Sequence, residues 1–201
     1  MARIETVERL REIITDYGPR GAAKIRDHIC GQGGAFIARS PMVLLGTIGA
    51  TGFEISPKGD HPGFVEQRDD RTLLIPERSG NHLCLSLQNI LSDPRVGLMF
   101  LRPATDEVLR ISGRATLHDD ADLCERLPAG GKPAVLVIRV AVERAAFHCV
   151  RSLRRARLWN PESWDATTRI SFGRIYAEAL GQADLQETFD RLSAESDAKL
   201  Y

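Results

Sequence analysis

The sequence predicts a mainly β fold, an antiparallel barrel that is closed or nearly closed, with helices at both ends. Three observations lead there. Five or six alternating or apolar runs follow one another from Phe36 onward, spaced by Gly, Pro, Asn and Asp turns. Met42–Ile48 and Phe53–Ser56 flank Gly49-Ala50-Thr51-Gly52, which is a hairpin signature. Ala134–Val142, AVLVIRVAV, is the pattern of a buried strand.

Length and composition set the frame. At 201 residues the chain suits one well-cored domain. The expected organisation is a single domain over 1–201, with N-terminal helices in 1–35, a barrel and cofactor region in 36–161 and a helical tail in 162–201. The 27 basic and 27 acidic residues cancel, so no global field favours nucleic acid or an anionic membrane, and local charge must carry any anion binding. Cys30, Cys84, Cys124 and Cys149 show no CxxC or CxxH spacing, which argues against a zinc site and a disulfide framework. Charges interrupt the start of the chain and no apolar run approaches the roughly twenty residues of a spanning helix. The expectation is a soluble cytoplasmic protein with no membrane or nucleic-acid partner.

In chain order, Ile4, Val7, Leu10, Ile13 and Ile14 share one face, so residues 4–15 form an amphipathic helix that ends before Tyr17-Gly18-Pro19. Ala22–Ile29 is helix-compatible, with the glycines of Cys30–Gly34 ending it. This GxGG follows a helix, so it lacks the strand-first context of a dinucleotide loop. After the hairpin come Phe64–Gln67, a turn at Asp69-Asp70 and then the central stretch, Arg71–Phe100. Thr72–Ile75 is β-rich, Ser79-Gly80-Asn81 is a turn able to cap a helix, and Leu83, Leu87, Ile90 and Leu91 recur at helical spacing. Asp93-Pro94 breaks that helix, and Arg95–Leu101 is a buried strand. Glu107–Leu117 alternates as a strand, Asp119–Leu127 is helical, and the chain from Arg174 onward is solvated helix. The turn before the central helix is informative, because unpaired N–H groups at a helix start suit a phosphate or another anion.

Several of these segments together resemble the pyridoxamine 5′-phosphate oxidase-like, FMN-binding split-barrel superfamily, and within it a bacterial subgroup of FMN-dependent oxidoreductases of unassigned substrate. They are Phe36-Ile37-Ala38-Arg39-Ser40-Pro41, Ile55-Ser56-Pro57-Lys58-Gly59-Asp60, Pro62-Gly63-Phe64-Val65, Asp70-Arg71-Thr72-Leu73, Ile75-Pro76 and Gly80-Asn81. The match continues through Ser86-Leu87-Gln88-Asn89-Ile90-Leu91, Asp93–Leu101, Leu109–Ala115, His148-Cys149 and Leu158-Trp159-Asn160-Pro161. The resemblance implies a mainly β split barrel that binds FMN at a homodimer interface and oxidises or reduces a small molecule, with NAD(P)H or another electron donor. It also admits a non-catalytic flavin, deazaflavin or haem carrier of the same fold, with His148 or His82 as an axial ligand.

By position, the resemblance implies that Lys58, Asn81, His82 and Ser86 surround the flavin phosphate, with Ser56 on the same strand as Lys58. True pyridoxamine phosphate oxidases carry an Arg-Lys pair where this chain has Leu85-Ser86, which leaves Lys58 and helix N–H groups as the compensation. Ile75 and Pro76 would lie beside the isoalloxazine, and Trp159 with Arg155 or Arg157 would reach the flavin across the dimer. Arg110, mid-strand, needs an anionic or π partner if it faces inward; a cross-strand acid such as Glu54 would serve equally. Lys58 is equally a turn lysine, Asn81 a plain helix cap and Ser86 a solvated helical serine. On a strand His148 and Cys149 point to opposite faces, so one packs inward and the other faces the interface. No catalytic acid, base or metal ligand stands out.

Overall fold

The computed structural model describes residues 3–80, 82–149, 151–165 and 170–197. The chain opens with α1 (Val7–Ile13) and α2 (Gly18–Ala22), then β1 (Ile25–Arg26) and α3 (Gly31–Ile37). The β region follows as β2 (Met42–Gly49), β3 (Gly52–Gly59), β4 (Glu66–Asp69), β5 (Thr72–Glu77), α4 (Leu85–Ser92), β6 (Arg95–Leu101) and β7 (Glu107–His118). The remainder is α5 (Ala121–Arg126), β8 (Leu136–Cys149), α6 (Arg151–Arg155), α7 (Phe172–Leu180) and α8 (Gln186–Asp197).

The strands form one antiparallel sheet in the order β3-β2-β6-β7-β8-β5-β4. β8 is the hub. It pairs with β7 along one side, and on the other with β5 over Leu136–Ala141 and with β1 at Ala145 and Ala146. The sheet curls into a split barrel that is not closed by a backbone ladder, since β3 and β4 are its free ends. One face fills the inside. On β6 the alternation is strict, with Val96, Leu98 and Phe100 buried while Arg95, Gly97 and Met99 face out. Val43, Leu45, Leu73, Ile75, Leu109, Ile111, Ile138 and Val140 complete this core. α3 caps it with Phe36, whose ring meets Phe147 edge-on at 5.5 Å.

Local details depart from the expected pattern for identifiable reasons. Ala22–Ile29 is not a second helix. Its backbone at Ile25 and Arg26 instead pairs with β8 beyond the end of β5, and tertiary pairing outweighs local helix propensity. The glycines of Cys30–Gly34 begin a helix instead of ending one. They are small because α3 lies close on the sheet: a Cβ on Gly34 would come 2.5 Å from the Gln67 amide oxygen, and one on Gly33 would come 3.0 Å from Ile29.

The central helix starts at Leu85, not at the expected Asn81 turn; Asn81 itself lies outside the described residues. Its N-cap is Cys84, in the left-handed conformation at φ 55° and without a side-chain cap. The later start rotates the buried face onto Ser86, Asn89 and Ile90, and it leaves Leu83 and Leu91 exposed. Ser86 is therefore buried rather than solvated. The apolar stripe of α1 is also exposed throughout. Among the described residues, no helix is long and apolar enough to cross a membrane.

Asn89 is fully buried and satisfies every polar atom of its amide. Its Nδ2 donates to Gly52 O at 2.9 Å and to Thr47 Oγ1 at 3.3 Å, and its Oδ1 accepts from Thr51 N and Thr51 Oγ1 at 2.9 and 2.8 Å. One side chain thus fastens α4 to the β2–β3 hairpin turn. Asn89→Ala would strand several buried partners, and we expect it to lower unfolding free energy by about 3 kcal/mol in chemical denaturation. Asn89→Asp should restore little, because a carboxylate cannot donate to Gly52 O.

Candidate functional site

Two neighbouring cavities, sharing Ile55 as a wall, hold most of the predicted site residues. The first is a corner of about 350 Å³ in the split of the barrel. Ser56 and Lys58 of β3 face Glu77 and Arg78 at the end of β5, and His82 and Ser86 close it from the start of α4. β3 and β5 share no backbone ladder, so side chains bridge them. Lys58 Nζ lies 2.9 and 2.6 Å from the two carboxylate oxygens of Glu77, with only 13% and 17% of the two side chains exposed. Beside it, Arg78 Nε donates to Asp60 Oδ2 at 2.9 Å and its Nη1 donates to Leu127 O at 2.7 Å.

The second cavity is a cleft of about 770 Å³ on the outer face of the sheet. Leu44, Phe53, Ile55 and Met99 supply an apolar floor, and Arg110, Arg144 and His148 rise from β7 and β8. Its far wall is the chain's own segment from Tyr17 to Ile25, which contributes Tyr17 and Lys24. That segment is held down by β1 and by an ion pair between Arg71 and Asp27, where Arg71 Nη1 also donates to Asp27 O at 2.7 Å. The Arg71 guanidinium holds the Asp27 carboxyl well below the usual carboxylate range.

The predicted residues therefore fall in three places. Ser56, Lys58, His82 and Ser86 share the corner, while Arg110 and His148 belong to the cleft. Ile75 and Pro76 are buried on β5, and because β4 pairs only as far as Leu74, their backbone edge away from β8 has no neighbouring strand. Trp159 lines neither cavity. Its indole N–H donates to Thr105 O at 3.1 Å, and nearby Arg154 Nε donates to Asp106 Oδ2 at 2.6 Å. These two bonds dock the 154–159 segment onto the loop before β7.

Arg110 stands between Met99 and Ala146 rather than opposite Glu54. His148 and Cys149 are both exposed at the cleft, so neither packs inward as alternation had implied; here β8 runs past the core. Glu77, Lys24, Tyr17 and Arg144 are neighbours that the sequence reading did not single out. Arg144 was out of reach of simple alternation, which would put it on the buried face of Val142; the register shift between Ser112 and Gly113 leaves Glu143 unpaired and turns Arg144 outward.

Residues 33–149 match the sequence model of the pyridoxamine 5′-phosphate oxidase family. The chain belongs to this family. No curated protein matches it. Among solved structures it is similar to HupZ of Group A Streptococcus, with 19% identity over 58% of this chain and 91% of that one and a TM-score of 0.48. General stress protein 26 of Bacillus anthracis aligns with 13% identity over 56% and 88% of the two chains, at a TM-score of 0.44. An FMN-binding protein of Syntrophomonas wolfei aligns with 11% identity over 55% and 78%, at 0.42.

Membership makes FMN the cofactor against which to test the geometry. A flavin phosphate carries roughly one and a half to two negative charges near neutral pH. The corner offers donors at Ser86 and His82, but Lys58 and Arg78 are each already bound to a carboxylate, and Glu54 adds another acid to the lining. In the single chain the corner can therefore hold a phosphate by hydrogen bonds but supplies it no unshared cation.

Two outcomes check this electrostatic picture. Lys58→Ala leaves the half-buried Glu77 without its cation and should cost about 1–3 kcal/mol, whereas the exchange of Lys58→Glu with Glu77→Lys should recover most of that loss in urea denaturation. The Arg154 side-chain bond holds the Asp106 carboxyl below its ordinary value. A depressed carboxylate contributes above its unfolded pKa and loses that contribution as pH falls through the folded value. Tryptophan emission should therefore hold steady down through the ordinary aspartate range, near pH 4, and shift only below it. In Asp106→Asn that acid shift should be absent.

Proposed function

We propose that the protein is an FMN-dependent oxidoreductase acting on a small molecule, and that it works as a cytoplasmic homodimer with the flavin at the interface between two copies. The observation that carries this reading is the family match over residues 33–149, which spans β2 to β8, all of the corner and the sheet side of the cleft. The open edge of Ile75 and Pro76 supports it, since a backbone edge without a strand neighbour suits the polar rim of a flavin ring. Bound flavin supplies two-electron redox chemistry, and the chain supplies position. Ser56, His82 and Ser86 offer hydrogen bonds in the corner, and the sheet's outer face gives a second copy its contact surface.

The experiment is direct. Purified protein should be yellow, or should quench FMN fluorescence with micromolar or tighter affinity, and its sedimentation should give twice the mass of one chain. NADH or NADPH should then bleach the flavin absorbance. A colourless protein that leaves FMN fluorescence unchanged at high micromolar concentration would refute the reading.

A further inference from the structure

Alternation along β3 turns Glu54, Ser56 and Lys58 to one face, and all three line the corner in the split of the barrel. Across the split β5 ends at Glu77. The backbone of Glu77 is fixed by its pairing with Leu136 and by Val135 N, which donates to its carbonyl oxygen at 3.0 Å. Its side chain lies outside that ladder and reaches Lys58. Over the corner and its immediate partners, two cations, Lys58 and Arg78, stand against three carboxylates, Glu54, Glu77 and Asp60.

The two cations are held differently. Arg78 is tied twice, to Asp60 Oδ2 at 2.9 Å and to Leu127 O at 2.7 Å, and the Asp60 side chain is only 3% exposed. Pulling Arg78 away would strand a buried carboxylate. Among the described residues Lys58 Nζ is held by Glu77 alone, at 2.9 and 2.6 Å from its two oxygens. An ammonium on a flexible stem can trade one acceptor for another, which a guanidinium locked in two bonds cannot. Lys58 is thus the exchangeable cation, and Glu77 is the acceptor already in place. A phosphate entering the corner meets a competitor. Taking Lys58 costs the Glu77 bonds and leaves that carboxylate beside the new anion, where like charges repel. These two effects cancel most of what Lys58 would add to phosphate binding.

We infer that Glu77 is the specificity-determining residue of the corner, an internal carboxylate that occupies Lys58 and withholds it from the phosphate of a bound flavin. The chain then recognises the flavin by its ring and ribityl chain and gains little from the phosphate. The ligand in this statement rests on the flavin reading; the competition between Glu77 and a phosphate for Lys58 does not.

FMN and riboflavin, which differ only in the phosphate, are titrated by fluorescence quenching into the full-length protein. Their affinities should lie within about tenfold of each other. Glu77→Gln keeps an acceptor for Lys58 and removes the competing charge. It should raise the FMN-to-riboflavin affinity ratio at least about tenfold, a gain that added salt erodes. Lys58→Gln combined with Glu77→Gln should bring the ratio back to within about threefold of its starting value. Glu54→Gln removes a carboxylate from the same lining without releasing a cation, and should raise the ratio by less than about threefold. A further arm uses no flavin: inorganic phosphate, exchanged for chloride at constant ionic strength, should raise the thermal midpoint of Glu77→Gln and leave that of the unaltered protein where it was. A much larger preference for FMN in the unaltered protein, a ratio unmoved by Glu77→Gln, an equal rise in Glu54→Gln, or an equal response of both proteins to phosphate would each overturn the inference. Unaltered protein that takes up neither flavin refutes the flavin reading, and the phosphate arm then decides the role of Glu77.

Discussion

The barrel is held shut by charge. Its two free strands never meet in a ladder, and across the gap between β3 and the end of β5 the connection is made by Lys58 with Glu77 and by Arg78 with Asp60. Such pairs are costly to desolvate and gain only where geometry is good, and here each cation meets its carboxylate at 2.9 Å or less. The width of the corner follows from this fastening. The same fastening removes two cations from the supply available to a ligand. Structural and binding roles compete for the same side chains, and in this chain the structural role prevails.

Close approach of backbone governs the other side of the molecule. Gly49 lies under α4, where a Cβ would come 2.3 Å from Ser92 Oγ. Gly113 lies at the β7–β8 irregularity, where a Cβ would come 2.1 Å from Ala141 O. These glycines let elements touch. Gly97 is of another kind, because the space above it is open, and the surface hollow it leaves is a consequence of composition rather than of packing.

Much of the fold was legible in the sequence. The hairpin, the alternation of β6 and β7, the helix before Pro94 and the apolar β8 follow from period and turn chemistry, and the quoted motifs led to the family that the match over residues 33–149 establishes. The helix predicted at Ala22–Ile29 failed because its true partner, β8, lies more than a hundred residues away in sequence, and local propensity carries no information on such a pairing. The candidate site was legible as a set of residues but not as an arrangement. Nothing local to Lys58 announces that Glu77 will take its charge, and nothing local to Arg110 announces that Lys24 will stand across from it. Both depend on how the sheet curls.

The hollow in the cleft, where Gly46 of β2 stands opposite Gly97 of β6, also bears on how such a protein can change over generations. Inward and outward residues of β6 are separated by alternation, so position 97 can accept a methyl, an isopropyl or a ring without disturbing Val96 or Leu98 beneath it. The depth of the cleft is thus adjustable by a single codon while the core keeps its sequence. The shape of the cleft and the stability of the fold are therefore free to evolve at separate rates.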